Sequence, residues 1–254
     1  RGYVNWKRHQ NTARISGPGK LFNTPQSEND SGDGEPTVMN FRGFMNLFFN
    51  ENSGSEEAVT LKTVELFGGM NARVEQDQPL YVAADTARFE FREENRIDSA
   101  DLMGNFRFVV SEQNGTKSNI SADSARMYFN QDNQLAKANI TGNVNFSSNA
   151  YDDSTAHISA KVAELLFAEK SLLSSADMAG DVKFHSDKGN LKSEKARILF
   201  GHDNYTGKTY PLRLLSSADS VMEPAASNTE KPAKFTAAKI DYDIISGDAY
   251  AHGP

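Results

Sequence analysis

The chain has 254 residues, a net charge of −7 and 38% hydrophobic residues, enough length and apolar content to bury a sizeable core. An acidic balance with scattered Lys and Arg argues against nucleic acid as a partner, which calls for a basic face. The absence of cysteine removes disulfides, thiolate metal sites and cysteine nucleophiles, and no apolar run is long enough to cross a bilayer as a helix.

The first residue is Arg1 rather than Met, as expected of a processed chain whose export signal or membrane anchor lies outside it. Residues 1–58 read as N-terminal strands belonging to the same stack as the rest. Ala13 to Phe22 is a strand with a Gly17-Pro18-Gly19 bend. Residues 23–37 contain no large apolar side chain and read as a mobile polar loop. Met39 to Phe49 is a further strand candidate.

Residues 59–250 are built from a repeat. Val64, Leu66, Gly68, Met70 and Ala72 introduce a glycine-centred strand, and three in-register copies of 38 residues follow. The first runs Ala84-Asp-Thr-Ala87-Arg-Phe-Glu-Phe91, then Ala100-Asp-Leu-Met-Gly104-Asn-Phe-Arg-Phe108. The second has Ala122-Asp-Ser-Ala125 to Phe129, then Ala138-Asn-Ile-Thr-Gly142-Asn-Val-Asn-Phe146. The third has Ala160-Lys-Val-Ala163 to Phe167, then Ala176-Asp-Met-Ala-Gly180-Asp-Val-Lys-Phe184. A fixed period that keeps small, aromatic and glycine positions together marks a stacked supersecondary unit. Degraded copies follow. Ala196-Arg-Ile-Leu-Phe200 comes after a turn shortened by five residues, Gly201 to Tyr210 reads as an inserted loop, and Leu212–Val221 is the partner strand. Ala238-Lys-Ile-Asp-Tyr242 reads as the last unit.

The apolar period is two, so these are half-buried strands rather than helices. Ala84 and Ala87 stand in opposite phase, as do Ala122 and Ala125, and Ala160 and Ala163. A parity slip turns a straight strand's apolar set outward unless a bulge or corner resets the pleat. The partner strands are too long to run straight within one small sheet, and Gly104, Gly142 and Gly180 stand at their middles. The expected fold is all-β and antiparallel, with bent strands wrapping two facing sheets.

An A-x-x-A-x-x-x-F segment answered by A-x-φ-x-G-[ND]-φ-x-F resembles the OstA/LptA-like family of periplasmic lipopolysaccharide-transport proteins, best over residues 82–184. That resemblance implies a V-shaped open β-jellyroll, a periplasmic location and an apolar groove through which lipid acyl chains pass. It also implies stacking of modules edge to edge. The groove lining would be Phe91, Leu102, Phe106, Phe108, Phe129, Ile140, Val144, Phe146, Phe167, Met178, Val182 and Phe184. Lipopolysaccharide or another glycolipid would be the ligand, with further modules docking on edge strands near Ala13–Phe22 and Lys239–Tyr242. No cofactor, metal or enzymatic activity is expected.

Spacing alone leaves open whether the sheets splay around a groove or close on a dry core, in which case the chain is an envelope scaffold. An enzyme or carbohydrate-binding site on residues 201–210 or in the N-terminal region is the third reading. Against it, no nucleophile elbow, phosphate-binding loop or dinucleotide fingerprint is present. His9, His157, His185, His202 and His252 are isolated, with no pair at metal-ligand spacing.

Overall fold

Two-residue alternation becomes extended strand throughout the computed structural model, which describes residues 3–7, 10–23, 37–50, 60–74, 80–92, 95–111, 117–149, 155–203, 209–225 and 234–253. The strands are β1 Tyr3–Lys7, β2 Thr12–Ser16, β3 Gly19–Asn23, β4 Thr37–Phe41, β5 Phe44–Phe49, β6 Leu61–Val74, β7 Leu80–Phe91, β8 Ile97–Ser111, β9 Lys117–Phe129 and β10 Leu135–Asn149. They continue as β11 Thr155–Phe167, β12 Leu173–Ser186, β13 Gly189–His202, β14 Thr209–Pro224, β15 Phe235–Asp243 and β16 Ala249–His252. All belong to one antiparallel sheet in which β6 to β16 pair in chain order. The sheet does not close on itself, giving an all-β, open jellyroll-like fold.

The long strands bend where the glycines predict. Register slips fall between Met103 and Phe106 in β8, Thr141 and Val144 in β10, and Ala179 and Val182 in β12. The partner strands slip between their paired alanines, from Ala83 to Thr86 in β7 and from Ser159 to Val162 in β11. Each strand thus has one half in each of two facing arms. Arm I holds Ile97–Met103 and its equivalents, together with β1, β2, β5 and β16. Arm II holds Phe106–Ser111 and its equivalents, with β3 and β4.

Two consecutive residues in the left-handed region make each corner: Gly104–Asn105, Gly142–Asn143 and Gly180–Asp181. Asn and Asp tolerate that region, and glycine is required for space as well as for φ. A Cβ on Gly142 would lie 2.2 Å from Asp123 Oδ2. The same aspartate accepts a hydrogen bond from Asn143 Nδ2 at 3.0 Å, as Asp85 does from Asn105 at 2.8 Å. The third copy exchanges the charges. Lys161 stands in the aspartate's place, and Asp181, bonded by Lys183 at 2.6 Å, has its carboxyl held below the usual range.

The N-terminal strands obey the same plan with the corner broken outright. β2 and β3 flank Gly17–Pro18, β4 and β5 flank Arg42–Gly43, and Gly17 N donates to Gly43 O at 2.8 Å. Asn23 and Thr37 pair as strand ends rather than belonging to a loop; residues 24–36, the rest of the expected loop, lie outside the described residues.

Three further expectations are corrected. The strand at Ala13–Ser16 is not an edge, because β1 pairs with it from Tyr3↔Ser16 to Lys7↔Thr12; Gly19–Phe22, in β3, does bound arm II. Nor is Lys239–Tyr242 an edge, because β16 covers it from Lys239↔His252 to Tyr242↔Ala249. Ala238 does not lead the last unit: it is exposed, and Ala237 and Ile240 take the inward positions flanking the bend. Two adjacent alanines made that register ambiguous, and the pairing of Ser216 with Ile240 resolves it.

Candidate functional site

The inward positions of both arms form one contiguous apolar interior. Nine of the twelve expected lining residues are buried in it: Leu102, Phe106, Phe108, Ile140, Val144, Phe146, Met178, Val182 and Phe184. Phe91, Phe129 and Phe167 are half-buried at the outer end of arm I. The space between the arms is filled by side chains, with Leu102, Ile140, Val144 and Val182 each at most 1% exposed. The interior also takes Phe89, Met127, Leu165, Ile120 and Ile158, which the same alternation could have nominated.

Aromatic rings join the arms. Phe108 meets Phe167 at 6.2 Å and Phe146 meets Phe200 at 5.5 Å between centroids, both edge-on, as ring quadrupoles favour. In each pair the partner lies three strands further along. Phe184 does the same with Tyr242 at 5.6 Å. Tyr242, however, sits one inward position before the Phe167 and Phe200 site, which Ile244 occupies. At the arm I turns, left-handed residues tie each unit to the one before it. Asn95 Oδ1 accepts from Leu61 N, Asn133 Oδ1 from Ile97 N, and Ser171 Oγ from Leu135 N, at 2.7, 2.9 and 2.9 Å.

The unit after the three copies breaks the apolar stripe. Ser216 and Ser220 stand where the preceding units have Met178 and Val182, and both are buried. Their hydroxyls bond each other at 2.7 Å, Ser220 reaches Ser193 at 3.2 Å, and Ser193 Oγ donates to Ser217 O at 2.8 Å. This network surrounds a corner made by Ala218 and Asp219, both left-handed without glycine. A buried hydroxyl is tolerable only when bonded, and these three satisfy one another and the corner carbonyls.

The two ends of the interior differ. At the N-terminal end β1 has no arm II strand opposite it among the described residues. Val4 and Trp6, which share the inward face with Ala13 through their register, are 69% and 51% exposed, and Trp6 packs on Phe49. At the C-terminal end the arms meet through Phe184 and Tyr242, and Lys188 Nζ donates to Ile245 O. Tyr242 is fully buried and its hydroxyl has no hydrogen-bond partner. Burial pushes its pKa above the ordinary phenol value, with Ser186 and Lys188 beside it acting in the opposite direction.

The outward face of arm I carries a continuous cross-strand row: Arg14, Asn46, Glu65, Arg88, Asp101, Arg126, Asn139, Glu164, Asp177 and Arg197. Asparagine takes part in four of its nine steps and opposite charges face each other at four more, closest at Arg197 and Asp177, a two-pronged pair at 2.6 and 2.8 Å. Glu164 opposite Asp177 is the exception, and Lys137 compensates Glu164 at 2.7 Å. A concavity of about 680 Å³ lies on this face between Asp177 and Lys239.

The outward face of arm II corrects the reading of the histidines as isolated. His157 and His185 stand directly opposite each other beside Asn145 and Lys183, in a shallow hollow of about 280 Å³. Sequence spacing could not reveal the pair, because only strand register brings it together. Among the described residues no three His, Asp or Glu side chains gather into a metal-binding group. The expected 201–210 loop begins and ends in strand: Gly201 pairs with Tyr210 and His202 with Thr209, whereas residues 204–208 lie outside the described residues. No protein-family model and no curated protein sequence matches the chain.

Proposed function

We propose that this chain is a non-enzymatic lipid-handling module of the cell envelope that shields acyl chains, those of lipopolysaccharide or a similar glycolipid, between its two arms. The supporting observation is an apolar interior between arms that are halves of the same strands. Every backbone ladder runs along the stack, so spreading the arms separates side chains and leaves inter-strand hydrogen bonds intact. A sheet closed into a barrel would have to break such bonds. At about 0.8 kcal/mol per methylene, a 14-carbon chain gains on the order of 11 kcal/mol by leaving water. That gain can offset the loss of packing between the arms. Association with further modules would use the edges of β1, β3 and β16, each of which pairs on one side only among the described residues.

One observation favours a second reading. Nine of the lining residues are buried, so side chains occupy the interior as it stands, which suits a scaffold that holds no lipid. Photo-crosslinking in cells separates the two. A photoreactive residue at Phe146 or Phe108 should acquire glycolipid on irradiation, and one at the outward Asn145 should not. Folded protein without an adduct at either inward position leaves the scaffold reading.

A further inference from the structure

We infer that the Asp187–Lys188 turn and the Ile244–Gly247 turn form a clasp that opens and closes the C-terminal end of the interior while the central units stay packed. This rests on the lipid-handling reading and names how that same interior is regulated. β12 and β13 are joined by Asp187 and Lys188 alone, whereas the two preceding arm II connections run over residues 112–116 and 150–154. The short turn brings Lys188 against arm I. Its Nζ donates to Ile245 O, its side chain packs on Gly247, and its carbonyl accepts from Ala225 N at 3.0 Å.

The contact is built to be reversible. It consists of a flexible ammonium on a backbone carbonyl, an edge-on ring pair, and a turn held by Asp243 Oδ1 bonds to the backbone amides of Ile245 and Ser246 at 2.9 and 2.8 Å. It also encloses the unpartnered Tyr242 hydroxyl, which regains water when the arms part. No strand ladder crosses from Lys188 to Ile245, so opening breaks none. The opposite end, with Val4 and Trp6 exposed on the inward face, has no equivalent closure among the described residues. Among the described residues the interior is therefore accessible at one end and gated at the other.

The chain lacks cysteine, so a single engineered disulfide can lock the clasp. A Cβ at Gly247 would lie 3.6 Å from Lys188 Cβ, within the span a disulfide requires. In the oxidised Lys188→Cys/Gly247→Cys protein, amide exchange in 182–186 and 240–244 should slow to the rate of β10. The unmodified chain should exchange about tenfold faster than β10 there, and the reduced double variant, which lacks the Lys188 contact, at least as fast as that. Gly247→Cys alone controls for its left-handed φ of +82°, and Lys188→Ala should accelerate exchange in the same two segments without any crosslink. Exchange as slow as β10 in the unmodified chain, or unaffected by both the lock and Lys188→Ala, overturns the clasp. A fluorescent 14-carbon fatty acid supplies the second readout, and oxidation should weaken its binding several-fold. A probe that fails to bind any form counts against the lipid reading, and the exchange result still decides the clasp.

Discussion

The three 38-residue units and the unit that follows them build the same bent strand from different chemistry. At equivalent inward positions stand Phe106, Val144 and Val182, then Ser220; one step before them stand Leu102, Ile140 and Met178, then Ser216. At the corner, Gly–Asn or Gly–Asp gives way to Ala218–Asp219. What persists is a pair of left-handed residues, a register slip and complete burial. The inside of the corner can be apolar, or it can be hydroxyl if every oxygen finds a partner.

Truncating the equivalent residues tests this most severely. Phe106→Ala should cost about 3–5 kcal/mol, from lost transfer energy and the cavity left behind. Ser220→Ala should cost only about 1–2 kcal/mol, the loss of its bonds to Ser216 and Ser193, which keep their contacts with Ile240 and Ser217 O. Urea denaturation of the two variants measures the gap. Equal losses would mean that the serine network carries as much stability as the aromatic packing, and the proposed division of labour would fail.

The corners should respond with opposite signs. Gly142→Ala should destabilise by at least about 1–2 kcal/mol, because its φ is +79° and the new methyl meets Asp123. Asp123→Ala in the same chain removes the carboxylate from the collision but leaves its Cβ at 2.8 Å and the backbone strain, so it rescues only in part. Ala218→Gly should raise stability by about 0.5–1 kcal/mol, since relief of left-handed strain outweighs the added freedom of the unfolded chain. Thermal midpoints of the three variants provide the check; a loss in Ala218→Gly would show that the serine network has already relieved the strain.

This contrast also marks how far the sequence is legible. The bends were readable because glycine in mid-strand and a parity slip between alanines each have a single physical remedy, a corner. Most of the buried interior was readable for the same reason: strict alternation leaves no choice of face. Ser216 and Ser220 were not, because a serine at an inward position looks like a break in the pattern until Ser193 is brought beside it by strand register. The pairing of His157 with His185 is hidden in the same way. The true edges were missed because β1 and β16 are short, and exposed side chains such as Tyr3, Trp6 and Tyr250 give no burial pattern to read.

Tyr242 sharpens the comparison from the other side, since its equivalents Phe89, Met127, Leu165 and Ile198 bury no polar atom. Tyr242→Phe removes an unpartnered hydroxyl and should gain about 1 kcal/mol. The pH dependence follows from the raised pKa. Below the unfolded phenol's value of about 10 both states are neutral and nothing is lost. As pH rises past that value the unfolded chain ionises first, so stability falls until the folded pKa is reached. Denaturation at pH 8 and pH 11 should show a larger drop for the native chain than for the phenylalanine variant.

The smallest effect lies on the outward row, where the third unit departs from the first two. Arg88 and Arg126 face Asp101, but Glu164 in the equivalent position faces Asp177. Directly opposed like charges on one face of a sheet disfavour the pairing, and Lys137 removes part of that repulsion. Glu164→Arg restores the alternation of the earlier units while giving up the Lys137 contact. The net gain should be a few tenths of a kcal/mol, about 0.3, visible at low ionic strength. In 1 M salt, where the screening length falls to about 3 Å, the difference should vanish. A gain that survives high salt would mean the arginine acts through packing of its stem on the neighbouring strands rather than through charge.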